Sequence, residues 1–141
     1  MRCTFLLLFL AAALSIPETA LAQTGAQGSV YVAYYWRAKP DQKPAYDEYI
    51  RTVAAPIDED ARRAGAFEEV HTVTPSPGVA AEWTHLRIFR VKDAASAQAL
   101  GAALDAATTR IVADPEQRKA NSERAARLRD FVRQEVWTEL K

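Results

Sequence analysis

From Val30 the chain alternates. Val30, Val32, Tyr34 and Trp36 interleave with Tyr31, Ala33, Tyr35 and Arg37, which predicts a strand rich in aromatic and β-branched residues. Both sets are largely apolar, so both faces of this strand are expected to be covered. The period then becomes helical, with Tyr46, Tyr49, Ile50, Val53, Ile57 and Ala61 on one side. Asp41 is the expected N-cap of this helix, and Pro44 fits a first turn whose amides lack helical partners. Pro56 cannot donate to Thr52, which predicts a kink or a fresh helical start with Pro56 at the first position. Gly65 is expected to take the left-handed position past the helix end.

The stretch Phe67 to Val91 reads as two strands, FEEVHTVTP and WTHLRIFRV, around a loop from Ser76 to Glu82. Residues paired across an antiparallel ladder share a face, so the register decides which side chains meet. Sorting by residue type favours pairing Glu69 with Arg87. That register also sets His71 against His85, Val73 against Trp83 and Phe67 against Phe89 on an aromatic, ionisable face, and leaves Val70, Leu86, Thr72 and Thr84 on the other. Asp93 is then the N-cap of an alanine-rich helix running to about Val112, with Leu100, Leu104 and Ile111 as its larger core groups. The run Asp114, Pro115, Glu116, Gln117 is a capping-box start for a third helix to about Arg129. The tail fits either period; a strand from about Gln134 to Leu140 completes the sheet that the earlier elements imply.

Ahead of this domain, Met1 and Arg2 precede the apolar run FLLLFLAAALSI and the triplet Ala20, Leu21, Ala22. This is the pattern of a secretory signal peptide over residues 1–22, too short for a permanent span of about 20 apolar residues. Residues 23–28 are expected to be a flexible leader and residues 29–141 one domain. The protein is therefore expected to be secreted or periplasmic, with no membrane attachment after cleavage. Cys3, the single cysteine, leaves with the signal, so neither a disulfide framework nor thiolate chemistry is expected. The 18 basic and 18 acidic residues balance, and a neutral exported domain lacks the basic footprint of a nucleic-acid binder.

The candidate site lies in the hairpin and the first strand: Tyr35, Arg37, Glu69, His71, Trp83, His85 and Arg87. His71, His85 and Glu69 have the composition of a two-histidine, one-carboxylate metal site, although such a trio in a sheet is more often a polar cluster, and neither a metal nor a cofactor is expected. Either histidine suits general-base work near neutral pH. Arg37 and Arg87 suit a planar anion, with an ion pair from Arg87 to Glu69 as the simpler alternative. Tyr35 and Trp83 suit an apolar pocket wall, and Trp36 a core position. The Arg- and Glu-rich run from Glu116 to Arg133 is expected to be a solvated helix face. There is no G-x-S-x-G elbow, phosphate-cradling glycine loop or H-E-x-x-H helix, which disfavours the common hydrolase, nucleotide and zinc-protease chemistries.

The order strand, helix, hairpin, helices, strand is the ferredoxin-like βαββαβ order, here α+β with an extra C-terminal helix. With its YYWRAKPDQKPAYDEYI opening and a hairpin after a glycine-ended helix, the chain resembles the small dimeric α/β-barrel proteins. That broad group contains antibiotic-biosynthesis-type monooxygenases and NIPSNAP-like domains. The resemblance implies a homodimer formed through open sheet faces and enclosing a cavity. No catalytic motif of the group is matched, and no catalytic residue carries over. The expected function is binding of a small, partly apolar ligand in that cavity. The alternatives are a cofactor-independent oxygenase or isomerase with a histidine base, and a protein-interaction module without a pocket.

Overall fold

The computed structural model describes residues 28–140, so the signal peptide and nearly all of the leader lie outside the described residues. The elements in order are β1 (Val30–Ala38), α1 (Lys43–Tyr49), a π-helical turn (Ile50–Ala54), α2 (Ala55–Arg63), β2 (Glu69–Val73), β3 (His85–Val91), α3 (Ala94–Ile111), α4 (Pro115–Leu128) and β4 (Arg129–Thr138). The strands form one four-stranded sheet in the order β2-β3-β1-β4. Every pairing is antiparallel, an arrangement compatible with the ferredoxin-like plan.

The helices cover one face of the sheet. Val30 and Val32 of β1 and Phe89 and Val91 of β3 pack there against Ala61 of α2 and Ala97, Leu100 and Ala107 of α3. The alanines of α3 let it approach the sheet closely, and Phe67 meets Phe89 edge to face at 4.9 Å. A second cluster joins Ala38, Tyr46 and Tyr49 to Ala125 and Leu128 of α4. On the opposite face Ala33, Tyr35 and Leu86 pack with Trp83, Ile88 and Val132, and no helical residue joins them among the described residues. This is the open face.

Several local expectations hold. Asp93 accepts from the Ser96 amide at 2.7 Å and caps α3, while Asp114 accepts from the Glu116 amide at 3.0 Å and caps α4 with Pro115 in its first turn. Gly65 is left-handed at φ 81°. Pro56, expected to open a fresh helix at its first position, is instead the second residue of α2, and a π-helical turn keeps the backbone helical up to it. The N-cap of α1 is Gln42 instead of Asp41, which sits in a left-handed turn at φ 60°. Strand β4 starts at Arg129, directly after α4, well before the expected Gln134. Gly28, the last residue of the expected leader, lies where a Cβ would come 2.3 Å from the Glu139 carbonyl oxygen, so only glycine fits against the end of β4.

The hairpin register differs from the expected one. Glu69 pairs with Arg90, Val70 with Phe89, His71 with Ile88 and Thr72 with Arg87. Relative to the expected ladder this is a slip by an odd number of residues, which exchanges the faces of one strand against the other. Two contacts favour it. Val70 packs against the helical core, and Arg90 lies 3.0 Å from Glu68 and 2.9 Å from Glu69.

Candidate functional site

The expected site residues divide between the faces of the sheet. Tyr35 and Trp83 meet edge to face at 5.8 Å on the open side. Arg133 lies over the Tyr35 ring at 3.9 Å, and the Tyr35 hydroxyl donates to Glu135 at 2.8 Å. His71 is exposed and Glu69 half-buried on β2, 3.6 Å apart. Arg37 is exposed near the end of β1. His85 and Arg87, by contrast, are buried beneath the helices. The two histidines therefore occupy opposite faces, and the trio His71, His85 and Glu69 is not assembled. The expected Arg87–Glu69 pair does not form either, because Arg87 bonds Asp58 of α2.

Burial of His85 and Arg87 is possible because each finds polar partners above it. His85 is 1% exposed; its Nε2 meets Asp47 Oδ1 at 2.7 Å and its Nδ1 meets Thr84 Oγ1 at 2.8 Å. A carboxylate only accepts, so we assign the proton to Nε2, with the Thr84 hydroxyl donating to Nδ1 and accepting from the Ala38 amide at 2.7 Å. The imidazole thus ties α1 to β3 and β1, and Tyr46 closes over it at 4.5 Å. Burial lowers the His85 pKa, against the opposing pull of Asp47. It contributes no surface to the cleft described next.

That cleft, of about 340 Å³, opens between the sheet and the helices. Its floor is Tyr34 and Trp36 of β1, Arg87 and Phe89 of β3 and Arg129 of β4; Tyr49, Ala54, Ile57 and Asp58 form one wall, and Gly101, Leu104, Asp105 and Thr108 of α3 the other. Its size falls within the range of about 300–1,000 Å³ usual for small-molecule sites. The walls are clamped together by Arg110, whose Nε donates to Asp60 at 2.8 Å. Tyr34 stands edge to face with Phe89 at 5.8 Å and is shared with a neighbouring hollow of about 360 Å³ beneath α3.

At the bottom of the cleft the Arg87–Asp58 pair is nearly enclosed, each side chain 11% exposed. Burial raises the Asp58 pKa, and Arg87 partly offsets this. The Arg87 Nε is itself buried with no acceptor among the described residues. Arg129 lies above, its guanidinium 3.5 Å from the Trp36 ring and its Nη1 donating to the Tyr46 hydroxyl at 2.6 Å. The cleft is therefore an aromatic and aliphatic slot with cationic groups on its floor. Asp58 and Arg129 escaped the sequence reading. The visible signal for Asp58 was a lone carboxylate between Ile57 and Ala61 on the apolar stripe of its helix; Arg129 carried none.

Neither a protein-family model nor a curated protein matches this sequence. Among solved structures, HapK from Hahella chejuensis superposes with a TM-score of 0.53 at 12% identity, covering 79% of this chain and 92% of HapK. An ethyl tert-butyl ether D (EthD) family protein from Bacillus halodurans gives 0.44 at 18% identity, covering 80% of this chain and 99% of that one. The likeness to HapK is one of fold. It supports the ferredoxin-like α+β plan.

Two outcomes are expected from this geometry. Asp58→Ala leaves Arg87 buried and unpaired and should destabilise the fold by about 3–5 kcal/mol in denaturant titrations, whereas Asp58→Leu with Arg87→Met should cost far less. Equal losses would mean that the pair is not effectively buried. For His85, the folded pKa lies below the value of 6.5 for the free side chain. The unfolded chain therefore binds the proton first, and stability should be full above that pH and fall as pH drops through the window below it. His85→Gln keeps a donor for Asp47 and an acceptor for Thr84, and its stability should be flatter than wild type between about pH 7.5 and 5.5.

Proposed function

We propose that this chain is an exported homodimer that binds a small, partly apolar molecule in the cleft between the sheet and the helical layer. The observation that carries this is the slot itself: aromatic and aliphatic walls around polar groups that have hydrogen-bonding capacity to spare. The ligand thus lies on the helical side, whereas the hairpin residues first suggested the open side. A second reading, as a cofactor-independent oxygenase or isomerase, draws on one observation: Asp58 is a cleft-lining carboxylate whose pKa is raised by burial. Its base would be Asp58, since His85 is sealed from the cleft and His71 lies on the far face.

The homodimer is supported by the open face. Trp83, Ile88 and Val132 are only half-buried there, above the buried Tyr35 and Leu86, and Trp137 is 41% exposed on the same side. Patches of this kind on small soluble domains commonly mark an interface. A twofold partner with the same face would cover it and close two sheets into a barrel.

Gly101 offers a direct test of the cleft. A Cβ there meets nothing within 4 Å, so a larger side chain extends into the empty space. Gly101→Leu should raise helix stability by up to about 1 kcal/mol while lowering the affinity for 2-naphthoate, measured by calorimetry, at least tenfold. Undiminished affinity in a folded variant would locate binding elsewhere. For the dimer, sedimentation of the purified protein at micromolar concentration should give twice the monomer mass, and Ile88→Lys should give the monomer. A wild-type monomer would contradict the interface.

A further inference from the structure

We propose that Arg129 makes the cleft selective for an aromatic molecule bearing a carboxylate. This selectivity presupposes the ligand site proposed above and names the class of molecule that fills it. The charges around the slot are not equivalent. Arg87 is neutralised by Asp58. Asp105 is exposed on α3, where water screens it. Arg129 is half-buried and has no ion-pair partner among the described residues.

The side chain of Arg129 is fixed in place before any ligand arrives. One plane of its guanidinium lies on Trp36 at 3.5 Å, with the Tyr46 and Tyr49 rings at 5.1 and 5.9 Å. Among the described residues its side chain makes one hydrogen bond, from Nη1 to the Tyr46 hydroxyl. A guanidinium carries five N–H donors, so most of its capacity is unused. Stacking desolvates the cation without supplying an anion, and it leaves the planar fork preorganised. A carboxylate accepts two parallel N–H bonds from such a fork. Phe89, Ile57 and Leu104 line the same cleft and offer apolar surface to the rest of the molecule.

An uncharged isostere separates this role from simple packing. Calorimetric titration of the purified protein with 2-naphthoate and with 2-naphthamide should show the acid binding about tenfold or more tightly. In Arg129→Gln the acid should fall to the level of the amide, with amide affinity largely kept, and Arg129→Lys should restore only part of the preference. The ratio of the two affinities is the readout, because loss of a merely structural arginine would weaken both probes together. Equal binding of acid and amide to the wild type would overturn the role of Arg129 while leaving the cleft as a ligand site. Binding of neither probe would overturn both. A preference that persists in Arg129→Gln would assign the anion to another group. Should Arg129→Gln fail to fold, the wild-type ratio and its decline with added salt decide the matter, since only a charge-based preference weakens with ionic strength.

Discussion

The ion pair between Arg87 and Asp58 is the constraint around which this domain is arranged. A guanidinium projecting from the middle of a sheet toward a helical layer costs several kcal/mol unless an anion meets it there. Asp58 supplies the anion from α2 and so fixes how that helix sits over the strands. His85 makes the equivalent link to α1 through Asp47, two residues earlier on the same face of β3. The odd-numbered residues of β3 are thus the polar anchors and the aromatic core at once. Such pairs contribute little net stability compared with apolar residues of the same size, but removing one partner leaves a buried charge unpaired. The cleft is the space left between elements held in this way.

Its shape follows from local backbone chemistry. Pro56 removes a helical donor, and the chain responds with a π-helical turn, which widens the helix just before Ile57 and Asp58. Across the gap α3 presents Gly101, with no side chain, beside Leu104. A bulkier residue at either place would fill the slot. Two features that cost helix stability therefore meet at the same opening: Gly101 lines it, and Pro56 directly precedes the lining residue Ile57.

Elements were more legible in the sequence than their faces were. Strong periodicity and caps identified β1, the interrupted first helix, α3 and α4, because those signals are local. The tail's strand was reached only through the needs of the sheet. The register of the hairpin failed because sorting by residue type assumes that aromatic and ionisable groups seek the open side. Within β3 the sorting was real: Leu86 and Ile88 share one face, His85, Arg87 and Phe89 the other. Their direction was reversed, since the polar partners that make burial tolerable, Asp47 and Asp58, lie far away in the chain on helices. Arg129 was hidden for a similar reason. In a run rich in arginine, nothing local distinguishes the one that turns inward onto Trp36.

The proposed binding mode puts ligand on the helical side of the sheet and a second copy over the other. Amide and indole NMR shifts of the isotope-labelled protein, followed while 2-naphthoate is added, test it most directly. Perturbations centred on the Trp36 indole, Ile57, Gly101 and Leu104, with the Trp83 indole unmoved, are the expected result. Shifts centred on Trp83, Leu86 and Ile88, with the Trp36 indole silent, would contradict it and return the site to the open face.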